Sequence, residues 1–343
     1  MDFVKYFNES EQMHLLNAEI AKPGVGTTSP EYPEMVFSRK RAASAMTQMT
    51  FVVQRFMDMY WRTPTYNLTR FFIALVLSLL FGLVFTGAEY ASYQGINSGV
   101  GMLFVGTLFN GMTSFSSVLP IAAHDRAAFY RERASQTYNA FWYWFGSTVA
   151  EIPYVFGSCL LYTLIFFPMV GFTGFLTGFL FWINLSLLGL MLTYMGQMFA
   201  YAMPSEEVAN IIGILVISIF ITFMGFSPPA EAIPTAYNWL YQITPLRFPL
   251  SILVALVFSD CSKDPFWSDE VGAFINGGSE LGCKELKNAP VEYGHITVKD
   301  FTENVFGMIH ADIWPNFFVV IGYIVAFRLL GLVALRYINH QKK

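Results

Sequence analysis

Long stretches without any charged residue constrain this chain most strongly. No Asp, Glu, Lys or Arg occurs between Arg70 and Glu89 or between Glu151 and Glu206, and several similar windows follow. A helix needs roughly 20 mostly apolar residues to cross the hydrocarbon core of a bilayer. Only 13% of the 343 residues are charged and 55% are hydrophobic, whereas soluble domains carry about a quarter charged residues. We therefore predict an all-α membrane protein.

The charge-free windows divide into six predicted transmembrane helices. The window after Glu151 is long enough for two spans, and we place the turn between them from Phe167 to Gly174. The predicted spans are 68–87, 94–120, 138–166, 175–201, 208–227 and 313–337. The apolar segment 229–258 is broken by prolines, so we expect it to be re-entrant or interfacial rather than a complete span.

The positive residues predict how the chain is oriented. They cluster before the first predicted span, between the second and third, and at the end of the chain. Cytoplasmic loops carry an excess of Lys and Arg, and six spans place all three clusters on one side. Both termini should therefore be cytoplasmic. The loop 259–311 should be extracellular, and it is acidic, with nine Asp or Glu against four Lys. Since residues 1–35 lack an apolar signal segment, the first span is expected to direct insertion.

The segment between the second and third predicted spans is unusually rich in charge. Positive residues alone would anchor the topology. The acidic residues Asp125 and Glu132 and two aromatic residues instead favour a short helix that docks on a protein partner, with charges setting its register. The residues expected to make this contact are Arg126, Phe129, Tyr130, Arg131, Glu132 and Arg133.

Residues 40–62 predict an amphipathic helix in the membrane interface. Apolar residues from Ala45 to Tyr60 recur at steps of three and four, with Arg55 off that face, as in helices that lie on a bilayer. Tyr60 and Trp61 are expected at interfacial depth. Pro64 should break the helix before the first span.

Three motifs together resemble one family of transporters. They are YWRTPTYNLTR at 60–70, DRAAFYRERASQTY at 125–138 and AEIPY at 150–154. The chain is similar to the membrane domain of the G subfamily of ATP-binding cassette exporters. It looks closest to the pleiotropic-drug-resistance type, and its large late loop fits the second, C-terminal membrane domain of such proteins.

The resemblance implies ATP-driven export of amphipathic compounds or lipids across the plasma membrane. The chain contains no G-x-x-x-x-G-K-S/T phosphate loop, so ATP and Mg²⁺ would be bound by a nucleotide-binding domain outside it. Residues 1–38 would be the linker that follows that domain, and residues 39–343 the membrane domain. The charged segment after span two would then be the coupling element. The expected partners are nucleotide-binding domains, the other membrane domain or a homodimer mate, the lipid bilayer and an amphipathic substrate, with no nucleic acid, metal or catalytic site.

Polar residues on spans two and five are candidates for a substrate pathway. Polar side chains within spans face a cavity or a neighbouring helix. Packing through small and hydroxylated residues is the alternative, and we favour it for the stripe from Ser186 to Gly196 on span four. The resemblance implies a pathway between spans two and five. Its candidate lining residues are Phe104, Thr107, Asn110, Thr113, Ser114, Ser218, Thr222 and Phe226.

Glu151 is the only carboxylate inside a predicted span, and such residues are functional candidates. We expect it to form a structural ion pair with an arginine, and Arg328 in the last span has the same interpretation. A proton-coupling role for Glu151 would make the chain a secondary carrier, which is the alternative function. A membrane enzyme using His295 is a third interpretation, carried only by a weak spacing motif.

The cysteines fall into two environments. Cys261 and Cys283 both lie in the acidic loop, on the oxidising side of the membrane, so a disulfide is expected there. Cys159 lies in the middle of a predicted span and is expected to be a packing residue.

Overall fold

The computed structural model describes residues 3–22, 25, 41, 43–270 and 272–340. The chain divides into two units, Met1–Ala42 and Ala43–Lys343. The described part of the first unit contains two short helices, α1 (Phe3–Asn8) and α2 (Glu11–Ile20). Much of the predicted linker 1–38 lies outside the described residues.

The second unit is built almost entirely of helices. They are α3 (Ala45–Trp61), α4 (Pro64–Val84), α5 (Tyr93–Ala134), α6 (Ala140–Met169), α7 (Phe175–Ala202), α8 (Glu206–Thr222), α9 (Asn238–Ile243), α10 (Arg247–Phe258), α11 (Val298–Phe306) and α12 (Ile313–Tyr337). A small antiparallel hairpin pairs β1 (Phe266–Ser268) with β2 (Ala273–Ile275). Within the described residues, five helices are long and apolar enough to cross a membrane: α4, α5, α6, α7 and α12. The unit is an all-α membrane domain.

Helix α7 is at the centre of the bundle. It packs against α5, α6, α8, α10 and α12, and small residues let α5 approach closely. A Cβ atom on Gly196 would lie 2.7 Å from Val118 Cγ1 and 2.9 Å from the backbone oxygen of Phe115. The Thr193 hydroxyl donates to the backbone oxygen of Ser114 at 3.3 Å. This geometry agrees with the packing interpretation of the small-residue stripe.

Helix α5 differs most from its prediction. It runs for 42 residues, roughly 63 Å at 1.5 Å per residue, about twice the thickness of a hydrocarbon core. The expected separate docking helix is the last part of α5. No glycine or proline occurs from 121 to 134, and the Ala, Arg and Glu residues there are good helix formers, so the helix continues to Ala134.

Other helix boundaries also differ from the predicted ones. Helix α6 continues through Pro168, and the turn lies at 170–174, where Gly171 and Gly174 adopt φ of +81° and +99°. Helix α8 ends at Thr222, five residues before the predicted end, and its 17 residues span roughly 26 Å. In the segment predicted to be re-entrant, 235–243 and 247–258 are bent by 84°. Counting this bent pair as one span would give six.

Candidate functional site

Arg126 holds the C-terminal end of α7. Its Nη1 donates to the backbone oxygens of Ala200 and Met203, both at 2.5 Å, and its Nη2 donates to that of Pro204 at 2.9 Å. The last carbonyl groups of a helix have no partner within the helix. A guanidinium placed there satisfies them and interacts favourably with the helix dipole. Arg126 therefore fixes the end of α5 to the end of α7.

The next turn of α5 is attached to the end of α12 in the same way. Arg133 Nη1 donates to the backbone oxygen of Leu335 at 2.9 Å, and the Tyr130 hydroxyl donates to that of Ile338 at 3.0 Å. The C-terminal ends of α5, α7 and α12 consequently lie at one end of the bundle, which we call the arginine-rich end.

Arg55 of α3 completes this arrangement. Its guanidinium bonds Asp125 at 2.8 Å and Glu132 at 2.6 Å, which lie about two turns apart on α5. Glu132 also accepts a bond from the Tyr138 hydroxyl at 2.6 Å. Burial lowers the pKa of Arg55, but the hydrogen bond that Arg55 donates to Glu132 and the charge of Asp125 outweigh burial and leave the pKa above its ordinary value. Arg55 thus stays charged and fixes α3 to α5.

Two of the residues expected to contact a partner are buried instead. Phe129 and Tyr130 are only 0% and 7% exposed, and the Phe129 ring lies 4.5 Å from that of Tyr143. Within this chain both side chains face α6 rather than an open surface, because the apolar face of α5 continues past the apolar core. Arg126 is also buried, whereas Arg131 is exposed.

Glu151 lies at the centre of a buried polar cluster. It is 0% exposed, and its Oε1 accepts bonds from the Tyr60 hydroxyl at 2.5 Å and Gln197 Nε2 at 2.8 Å. Its Oε2 accepts a bond from the Tyr66 hydroxyl. The predicted ion pair is wrong, because Gln197 stands between Glu151 and Arg328 and its Oε1 accepts a bond from the Arg328 guanidinium.

Arg328 is bonded through both of its terminal nitrogens, whereas its Nε is buried without a partner among the described residues. Its Nη2 donates to the backbone oxygen of Trp144 at 2.5 Å, to the Ser147 hydroxyl at 3.1 Å and to the Thr148 hydroxyl. With Glu151 and Gln197, this cluster joins five helices: α3, α4, α6, α7 and α12. Tyr60, which we expected at the membrane surface, is 1% exposed. Sequence reasoning missed its hydroxyl and the neutral Gln197, although both lie on apolar helix faces where a polar atom needs a partner.

The predicted pathway residues separate into groups. Thr107, Asn110 and Ser114 are 1%, 9% and 6% exposed, and this face of α5 packs on α7. A Cβ on the neighbouring Gly111 would lie 2.9 Å from Leu192 Cδ1. These three residues are therefore packed between helices in this structure and do not line an open surface of it.

The remaining candidates lie on accessible surfaces. The rings of Phe104 and Phe226 are 4.9 Å apart and line a pocket of about 750 Å³ between α4, α5 and the end of α8. Ser218 and Thr222 are exposed on α8 and bond backbone oxygens of their own helix. Thr113 lines a different pocket, between α4 and α5.

The loop 259–311, at the other end of the bundle, is held by a disulfide and by an ion pair. Cys261 and Cys283 form the expected disulfide. Lys287 Nζ bonds Glu89 at 2.7 Å, which lowers the pKa of Glu89 through the hydrogen bond and the positive charge. Cys159 is buried, as expected. Over the part of the chain that the structure describes, no group of three His, Cys, Asp or Glu residues could hold a metal ion.

Comparison with known proteins identifies a family. Residues 47–258 match the ABC-2 type transporter family, and residues 278–343 match the CDR ABC transporter family. ABC transporter G family member 36 of Oryza sativa subsp. indica is 29% identical over 346 aligned residues, covering 100% of this chain and 22% of the relative. Pleiotropic drug resistance protein 1 of Nicotiana tabacum is 27% identical, with the same coverage. ABC transporter G family member 42 of Oryza sativa subsp. japonica is 32% identical over 77% of this chain and 18% of its own length.

These matches cover both the bundle and the late loop. The chain spans only about a fifth of the length of the relatives it matches, so it corresponds to one membrane region of them. Arg126 and Glu151 lie within the region matched to the ABC-2 type transporter family, and Arg328 lies within the region matched to the CDR ABC transporter family. The chain belongs to the ABC-2 type transporter family, as a membrane domain of the G-subfamily, pleiotropic-drug-resistance kind.

Proposed function

We propose that this chain is the membrane-spanning half of an ATP-driven exporter of amphipathic compounds or lipids. ATP and Mg²⁺ would be bound by a nucleotide-binding domain that lies outside the chain. The chain would act as the second membrane domain of a plasma-membrane transporter, paired with another membrane domain, with its arginine-rich end and both termini in the cytoplasm. The family membership and the names of the relatives support this proposal.

The arrangement at the arginine-rich end carries the proposal. Bonds from α5 reach α3 through Arg55, α7 through Arg126 and α12 through Arg133. A packed and bonded group of helices moves as a unit, because packed interfaces switch between discrete arrangements rather than deforming continuously. A push on the exposed end of α5 at Arg131 would therefore move four helices together. Coupling would act through this rigid assembly and not through Phe129 or Tyr130.

The substrate pathway would run along the accessible surfaces of α5 and α8. Phe104 and Phe226 provide an aromatic surface for a hydrophobic compound. Ser218 and Thr222 add hydroxyl groups one turn apart on α8. Another membrane domain would complete this wall. In this proposal α8 is the fifth of six spans, and α3 lies in the membrane interface.

The test uses Arg131→Glu in the full natural reading frame. Arg131 is exposed, so its reversal should leave folding and surface abundance intact. Efflux of a fluorescent amphiphile should fall while ATP hydrolysis continues, because the contact that transmits motion is repelled. Arg62→Glu is the matched control, since Arg62 is also exposed and its change should leave efflux normal. Unchanged efflux in Arg131→Glu would contradict the coupling role.

The proton-coupled alternative gains no support from the site. Both carboxylate oxygens of Glu151 are occupied by three donors, and the residue is 0% exposed. A proton carrier needs a carboxylate that reaches water in at least one state. The cluster instead has the features of a structural joint between helices.

A further inference from the structure

A second pocket lies between the first turns of α4 and the middle of α5. Its volume is about 510 Å³, within the range of small-ligand sites, and it shares no lining residue with the pocket at Phe104 and Phe226. Hydroxyl groups line much of it. The lining residues that matter here are Thr65, Arg70, Ile73, Met112, Ser116 and Ser117.

Arg70 is the charged group of this pocket, and its hydrogen bonds are incomplete. Its side chain is buried, at 3% exposed. Its Nη2 donates to the Ser117 hydroxyl at 2.6 Å and to the backbone oxygen of Ser114 at 3.3 Å. Its Nε and Nη1 are buried with no partner among the described residues. The guanidinium also lies over the Tyr66 ring, 4.8 Å from its centroid. A buried charged donor without an acceptor is costly, so an anionic acceptor at Arg70 would be bound favourably.

The charges around Arg70 lead to the same conclusion. Arg70 and Arg328 are both buried, and Glu151 is the buried carboxylate in their cluster. Glu151 already accepts bonds from Tyr60, Tyr66 and Gln197. Asp125, another buried acid, bonds Arg55 together with Glu132. Two buried guanidinium groups, those of Arg70 and Arg328, therefore share one buried carboxylate, and a further anion would be attracted to them where the dielectric constant is low.

We propose that this pocket binds the phosphate group of an anionic membrane phospholipid. Arg70 lies six residues into α4, roughly 9 Å along the helix from Pro64, which matches the boundary between head groups and hydrocarbon if α4 crosses the bilayer. The phosphate bonds the guanidinium of Arg70 and the hydroxyl of Ser116, and the Arg70 side chain turns its buried Nε and Nη1 toward the pocket to make these bonds. The acyl chains follow Ile73 and Met112 onto the exposed side of α4. The lipid is a resident component of the domain, apart from any compound that is exported.

The experiment measures lipid adducts by native mass spectrometry. The protein from the full natural reading frame is released from detergent micelles containing phosphatidylserine, diacylglycerol or neither, with and without inorganic phosphate. Arg70→Gln removes the charge. Ser116→Trp fills the pocket and leaves Arg70 untouched, so it provides the test even if Arg70→Gln fails to fold. Arg62→Gln is the control for general attraction, because it removes an exposed positive charge.

Phosphatidylserine should form a persistent adduct with the unchanged protein, and diacylglycerol should not. The apparent affinity for phosphatidylserine should fall about tenfold or more in Arg70→Gln and in Ser116→Trp, as expected for the loss of charge-assisted hydrogen bonds. The affinity of Arg62→Gln should equal that of the unchanged protein. Equal affinity in all four proteins would overturn the proposal. Displacement of the lipid by inorganic phosphate at a similar concentration would identify a site for free anions and would also overturn it.

Discussion

Replacing Glu151 with alanine should destabilise the domain more than any other single loss of a carboxylate. The change leaves three buried donors without their acceptor: the hydroxyls of Tyr60 and Tyr66 and the amide of Gln197. A buried donor left without an acceptor costs about 1–3 kcal/mol, so three such donors cost about 3–9 kcal/mol. Relief of the buried charge offsets several kcal/mol. With about 2 kcal/mol for each of the three donors and an offset of about 3 kcal/mol, the free energy of unfolding should fall by about 3 kcal/mol.

The assay is equilibrium unfolding of the detergent-solubilised protein by titration with dodecyl sulfate, followed by circular dichroism. Asp58→Ala is the matched control, because Asp58 is exposed and should change stability by less than about 0.5 kcal/mol. Tyr60→Phe removes one donor and leaves the carboxylate, so it should cost about 1 kcal/mol. A loss below about 1 kcal/mol in Glu151→Ala would refute the view that this cluster joins five helices.

Three further predictions test other parts of the structure. Arg126→Gln should reduce stability by roughly 2 kcal/mol and increase hydrogen exchange at the end of α7, whereas Arg131→Gln should change neither. Gly196→Ala should lower the free energy of unfolding by about 1–3 kcal/mol through overpacking against α5. Gly322→Ala should leave it unchanged in the same assay, because the added Cβ meets nothing within 4 Å. Asn110→Trp should lower surface abundance because Asn110 is packed, whereas Thr222→Trp should keep normal abundance and block efflux. Normal abundance and normal efflux in both variants would contradict the proposed pathway.

The membrane helices could be predicted because their signal is local. A run of apolar residues without charge has few alternatives to a buried helix, and α12 begins and ends where the sequence predicts. The predicted helix boundaries were wrong where two local sequence signals favoured different structures. At Pro168, the proline predicted a turn, but the helix continues for one more residue until the glycines at 171 and 174 permit the reversal.

The polar clusters could not be predicted because their partners are distant in the chain. Arg126 bonds backbone oxygens more than 70 residues away, and backbone oxygens carry no sequence signal. Gln197 is neutral, so nothing marks it as the group that separates Glu151 from Arg328. The sequence predicts that the charged stretch at the end of α5 is a surface for a partner. Most of its side chains instead bond other helices of the same domain.

The energy source of transport tests the central claim most directly. The measurement is uptake of a fluorescent amphiphile into inside-out membrane vesicles that contain the full natural reading frame. One set of vesicles receives ATP and a protonophore, and the other receives a proton gradient without ATP. The account predicts uptake that requires ATP, survives the protonophore and is lost in Arg131→Glu. Uptake driven by the proton gradient alone, and abolished in Glu151→Gln, would contradict it.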